Sequence, residues 1–172
     1  MDNIYLVGFM GSGKSTLGKK LSEIKNYEFI DTDKEIEKIN SMTINQIFKN
    51  FDESFFRQEE LSLLKTILKQ KKTIISTGGG FVCFNNIMKT IKKNGISIYL
   101  KYSSKNLHKR LKENYQGRPL INKIQENKRE KFISELLQNR EKFYLESNFV
   151  IDCLSLNEDD ILRKINSLIS TT

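Results

Sequence analysis

The octapeptide Gly8-Phe9-Met10-Gly11-Ser12-Gly13-Lys14-Ser15 constrains this chain more than any other feature. It reads GxxxxGKS, follows a short apolar run at 4–7 and opens an amphipathic stretch at 14–25. Strand, glycine-rich loop and helix in that order build a phosphate-binding loop. The glycines let successive backbone N–H groups turn inward on one anion. The helix N-terminus adds unpaired donors and the positive end of its dipole. Lys14, read as an exposed loop lysine, would bridge β- and γ-phosphates, and Ser15 would offer its hydroxyl to Mg²⁺. Gly11, Ser12, Gly13 and Thr16 complete the expected nucleotide contacts. A glycine-rich turn that only caps a helix is the plainer alternative, and it does not require the preceding strand.

The remaining pattern alternates short apolar runs with longer amphipathic ones. Strands are predicted at 4–7, 27–30, 73–76, 96–101 and 149–151. Helices are predicted at 14–25, 33–40, 43–50, 53–70, 85–93, 105–114, 128–144 and 158–169. Such alternation implies an α/β domain with a five-stranded parallel sheet and helices on both faces. Ligands then bind at the carboxyl edge of the strands. The 172 residues suit one domain, which at this size buries roughly 70% of its unfolded surface. The polar stretch 114–127 holds the only proline, Pro119, and reads as a mobile lid.

Several classes are disfavoured. No apolar run approaches the ~20 residues of a membrane span, and the N-terminal residues lack a signal peptide's basic region and cleavage site. Two cysteines, Cys83 and Cys153, read as free thiols of a cytoplasmic protein. A single histidine, His108, excludes His-rich metal sites. The net charge of +8 points to anionic ligands. The lysines are scattered in pairs along helical stretches, with no interleaved aromatics to form a stacking platform, so nucleic acid is not the expected partner.

The usual partner of such a loop is an acid at the end of a later strand. Here the third strand runs through Ser76-Thr77 into Gly78-Gly79-Gly80 without one. Two carboxylates follow the second strand instead, in Asp31-Thr32-Asp33. In extended chain both would point to one side, beside the loop. One could serve Mg²⁺ through water and the other accept a proton from a hydroxyl, while the same pair also reads as a helix N-cap. Arg57 and Arg140 continue apolar helical stripes (Leu61, Leu64, Leu68 and Ile133, Leu136, Leu137), which turns two guanidinium groups inward toward an anion. Glu60, three residues after Arg57, could hold it in place, and snorkelling at a helix end is the bland alternative. Arg118, in the polar stretch, is a cation suited to close over phosphates. The triglycine would let backbone N–H groups approach a ligand closely.

Together these pieces resemble the shikimate kinases. The matching segments are GFMGSGKST at 8–16, DTD at 31–33, TINQIF at 43–48, Glu53 with FRQEE at 56–60, TGGG at 77–80, GRPL at 117–120, and Arg140-x-x-x-Tyr144. The order and spacing hold from residue 4 to about 152. The resemblance implies a P-loop kinase of the nucleoside-monophosphate-kinase-like three-layer fold, transferring the ATP γ-phosphate to the 3-hydroxyl of shikimate in aromatic amino-acid biosynthesis. It implies a single domain over 1–172, with a core of 1–32, 72–112 and 141–172, an acceptor-binding region at about 33–62 and a lid at about 113–127. By the same resemblance Asp33 contacts the shikimate hydroxyls as candidate base, Asp31 and Ser15 serve Mg²⁺, and Arg57, Arg140, Gly79 and Gly80 bind the acceptor. Arg118 becomes the lid arginine on the phosphates, Lys14 a catalytic cation and Arg110 the arginine packing on adenine. The implied partners are shikimate and ATP, without membrane or nucleic acid, acting on a monomer. The chain departs from the family at Asp52, where a glycine is usual, and at Cys153-Leu154-Ser155-Leu156, which lacks an Arg- and Pro-containing adenine contact.

Overall fold

A computed structural model describes residues 2–112 and 119–170. Five strands, β1 (Asn3–Val7), β2 (Glu28–Asp31), β3 (Thr73–Ser76), β4 (Gly95–Lys101) and β5 (Phe149–Asp152), form one sheet in the order β2-β3-β1-β4-β5. Every pairing is parallel, with Leu6 opposite Ser76 on one side and Ile98 on the other. Every residue of β1 is buried, as its central place requires.

Nine α-helices connect and cover the strands: α1 (Lys14–Lys25), α2 (Thr32–Asn40), α3 (Ile44–Asn50), α4 (Glu53–Ile67), α5 (Ile87–Lys93), α6 (Ser104–Leu111), α7 (Pro119–Asn122), α8 (Glu126–Tyr144) and α9 (Glu158–Ser170), counted among the described residues. Layers of helix lie on both faces of the sheet, with α1 on β2 and β3 and α5 on β4. All five strand-to-helix connections leave the carboxyl edge of the sheet. The ligand-facing loops therefore lie side by side.

Element ends differ from the periodicity reading where side chains or backbone take over. Helix α4 stops at Ile67, short of 70, because Asn3 from β1 secures the turn. Its amide donates to the carbonyls of Ile67 (3.3 Å) and Gln70 (3.1 Å), while its oxygen accepts from Thr73 N–H at 3.2 Å. Helix α5 starts at Ile87 because Asn85 and Asn86 both adopt left-handed φ, at 48° and 55°, which Asn tolerates better than most residues. Asp52 N-caps α4 by accepting from Phe55 N–H at 2.9 Å, so the residue that replaces a glycine has a use of its own. Part of the polar 114–127 stretch is helical, and Ile121 of α7 is fully buried.

Candidate active site

Gly8, Gly11 and Gly13 all take positive φ, at 146°, 80° and 88°, curling the chain between β1 and α1. Lys14 is not the exposed loop residue expected from the sequence, since only 7% of it reaches solvent. Its ammonium donates to the carbonyls of Gly8 and Phe9, each at 2.8 Å, and to Ser12 Oγ at 3.3 Å. Loop carbonyls thus stand in for the anion the loop is shaped to hold.

The two aspartates do not share one side of an extended strand. Helix α2 begins at Thr32, so Asp33 already lies in its first turn, yet both carboxylates border the cavity beside the loop. Asp31 divides its oxygens. Oδ1 caps α2 by accepting from Asp33 N–H (3.1 Å) and Lys34 N–H (3.2 Å). Oδ2 accepts the hydroxyl proton of Ser15, whose Oγ is also 3.3 Å from Ser76 Oγ. The cap expected of this residue is present, and its second oxygen lies beside the phosphate loop. Thr32 Oγ1 accepts from Gly78 N–H at 2.7 Å, tying the start of α2 to the triglycine turn. Asp33 presses so closely on Gly78 that a Cβ there would overlap its carboxylate.

Two adjoining cavities open at this edge. One is lined by Gly11, Gly13, Lys14, Ser15, Thr16, Asp31, Ser76, Thr77 and Arg110. The other is lined by Ile44, Phe48, Phe56, Arg57, Glu60, Gly78, Gly80, Leu120 and Arg140. Met10, Asp33 and Gly79 border both. Asp33 therefore stands at the junction, whereas Asp31 faces only the phosphate side.

In the second cavity Arg57 is gripped by two acids of its own helix. Nη1 donates to Glu60 at 2.6 Å, and Nη2 and Nε donate to Glu53 at 2.8 and 3.1 Å. The Phe84 ring lies 4.9 Å from its guanidinium carbon. Gly80 lets Arg57 in, because a Cβ would come within 2.9 Å of both terminal nitrogens. Glu60 is 1% exposed. Burial pushes its carboxyl up to about 7 against the opposing pull of Arg57, and Asp33 adds to the rise. Arg140 reaches the same cavity from α8, 6.0 Å from the Phe9 ring centroid. One turn further on, the buried Tyr144 hydroxyl donates to the Gly79 carbonyl. The apolar wall of Ile44, Phe48, Phe56 and Leu120 escaped the sequence reading, although all four lie inside quoted motifs.

Arg110 flanks the phosphate cavity, with Nε donating to Gly11 O at 2.8 Å. Arg118 lies outside the described residues, as do 113–117 of the expected lid.

Ser15, Asp31 and Ser76 offer hard oxygen donors at one point beside the loop. No cluster of three or more His, Cys, Asp or Glu occurs among the described residues. That donor set fits Mg²⁺, which takes one or two protein oxygens and completes its shell with waters and phosphates.

A β1–loop–α1 turn of anion-cradle shape, an all-parallel sheet in this order and a second cavity adjoining the loop define a P-loop kinase of the nucleoside-monophosphate-kinase-like fold. The family model described as shikimate kinase matches residues 10–170. A shikimate kinase of Clostridium botulinum is 39% identical over 168 residues, covering 97% of this chain and 96% of the relative. One from Thermodesulfovibrio yellowstonii is 40% identical over 165 residues, covering 96% and 93%. The solved structure of shikimate kinase from Acinetobacter baumannii in complex with shikimate superposes with a TM-score of 0.92 at 32% identity, over 99% of this chain and 94% of that one. The chain belongs to the shikimate kinase family.

Proposed function

We propose that this chain transfers the γ-phosphoryl group of ATP to the 3-hydroxyl of shikimate, with the residues above in distinct roles. The observation that carries the reading is the position of Asp33. It borders both cavities, with the phosphate loop on one side and the two arginines on the other. An acceptor whose carboxylate meets Arg57 and Arg140 would present a hydroxyl to Asp33 and the incoming phosphoryl group.

Phosphoryl transfer asks a protein mainly for alignment and charge compensation. The loop amides and Lys14 receive the phosphates, and Lys14 exchanges its carbonyl partners for phosphate oxygens. Mg²⁺, held by Ser15 and Asp31, would supply charge neutralisation between the phosphates when bound. Asp33 orients the acceptor hydroxyl and takes its proton as the new P–O bond forms. The Gly79 and Gly80 backbone lies against the acceptor ring, and the ring fits between the triglycine and the apolar wall of Phe48 and Phe56. Arg110 packs on the adenine, and Arg118 approaches the phosphates from the lid. Closure of the segment at about 113–127 would exclude water that otherwise competes as acceptor.

The division into a core (1–32, 72–112, 141–172), an acceptor region (about 33–62) and a lid belongs to the same reading, as does a monomer in the cytoplasm that acts on small molecules and not on nucleic acid. No helix among the described residues is long and apolar enough to cross a membrane.

A coupled ADP-release assay with shikimate, gluconate and AMP in parallel tests the reading. Release dependent on shikimate alone is expected. Preference for gluconate would make the chain a sugar-acid kinase, and no acceptor-dependent release would leave a nucleotide-binding module.

A further inference from the structure

The guanidinium of Arg110 is fixed in place by a residue that neither the family motifs nor the phosphate loop accounts for. Its Cζ lies 4.9 Å from the centroid of the Tyr102 ring, and Nη1 donates to the Tyr102 hydroxyl at 3.4 Å. On the other side Nε donates to the Gly11 carbonyl at 2.8 Å. A Cβ on Gly13 would come within 3.1 Å of Nη2, so the group also touches the last glycine of the loop. Tyr102 itself is 6% exposed and follows directly on β4, which makes it a rigid support.

Beside this pair opens a third cavity, bordered by Thr16, Leu17, Leu156 and Asn157 as well as Arg110 and Tyr102. A planar base stacks on a guanidinium through one face only. The other face needs a backing, and an aromatic ring provides it by cation–π attraction. An arginine that samples many rotamers must give up that freedom when a base lands on it, whereas one already stacked has given it up on folding. The wall after β5 supplies Leu156 where an arginine or proline contact is absent. More of the grip then falls on the Arg110 side.

We propose that Tyr102 is a positioning residue for the nucleotide base, holding the Arg110 guanidinium flat against the cavity so that the base stacks on its outer face. This rests on the reading of Arg110 as the base-packing arginine.

Binding of ATP and of inorganic tripolyphosphate to the full chain separates the possibilities, because tripolyphosphate has the phosphates but no base. Tyr102→Leu is expected to weaken ATP about fivefold, as loss of a partly desolvated cation–π contact should. Tripolyphosphate affinity and the shikimate KM should stay within twofold. Tyr102→Phe keeps the ring and should stay within about twofold for ATP as well. If the leucine variant does not fold, Tyr102→Met keeps the bulk without the π-face and gives the same contrast. Equal weakening of ATP and tripolyphosphate would show a structural effect on the loop and overturn the proposal. Arg110→Ala serves as the control. If it lowers the ATP affinity relative to tripolyphosphate while the Tyr102 variants do not, Tyr102 has no such role and the reading of Arg110 stands. If neither substitution changes that ratio, Arg110 does not pack on the base and the proposal falls with it.

Discussion

Arg57 and Glu60 meet at 2.6 Å in a place where Glu60 has lost almost all contact with water. The arginine is thereby held rigid, but the carboxylate holding it also repels any acceptor carboxylate brought to the same guanidinium. Protonation settles that competition. Burial raises Glu60 from an ordinary 4.5 to about 7, so the repulsion appears as pH rises through neutrality. The KM for an acidic acceptor is expected to rise between about pH 6 and 8, and in Glu60→Gln this rise should flatten. The stability effect has the same window. A raised folded-state value means the folded chain binds the proton more tightly, so Glu60's contribution is complete below 4.5 and is lost as pH climbs to 7. Thermal melts at pH 5 and 8 should differ more in the parent than in Glu60→Gln, and equal differences would show that Glu60 does not titrate there.

Lys14 carries the phosphate-loop assignment. Lys14→Ala should abolish transfer, and turnover within tenfold of the parent would contradict the assignment. Because its ammonium lies on the Gly8 and Phe9 carbonyls, the substitution also removes a donor from each, although Phe9 O keeps the Ser12 N–H at 3.2 Å. A cost of about 1–3 kcal/mol is expected from that loss, read as a lowered Tm with the far-ultraviolet circular dichroism unchanged.

If Arg57 and Arg140 bind the acceptor as proposed, their substitutions should separate from the nucleotide and from each other. Arg140→Ala removes a charged partner of a desolvated carboxylate, worth about 2–4 kcal/mol in kcat/KM for shikimate, with ATP affinity little changed. Arg57→Ala should add a loss of stability, since it strips Glu60 of its buried counter-charge. A comparable fall in ATP binding for either variant would move that arginine to the other cavity.

Asp31 borders only the phosphate cavity, Asp33 borders both, and the two should fail differently. Asp31→Asn keeps an oxygen to cap α2 but loses the charge beside Ser15. Its activity should therefore recover in part at raised Mg²⁺. Asp33→Asn should lose turnover at every Mg²⁺ concentration while still binding a fluorescent ADP analogue, because an amide is a very poor base. Recovery of Asp33→Asn by Mg²⁺ would contradict the division of labour.

Local spacing made much of this site legible. The phosphate loop is one contiguous segment, and the inward arginines announce themselves as charges on apolar helical stripes. What stayed hidden depends on a residue's neighbours in three dimensions. Lys14 reads as exposed because nothing in its own segment shows that the loop carbonyls fold back onto it. Asp31 and Asp33 both reach the phosphate cavity, as their spacing suggests, but only the start of α2 at Thr32 shows that Asp33 also reaches the second cavity. Tyr102 lies in the connection after β4 and Arg110 in the second turn of α6, with no period linking them. Asn3 and the end of α4 are separated by more than sixty residues, beyond any local pattern.

The most direct measurement is phosphorus nuclear magnetic resonance of the product formed from ATP and shikimate by the intact chain. One new phosphomonoester signal coupled to the proton on C3, appearing in step with ADP, is the expected result. A phosphate on another hydroxyl, or ADP released with only inorganic phosphate, would contradict the placement of the acceptor between Asp33 and the two arginines.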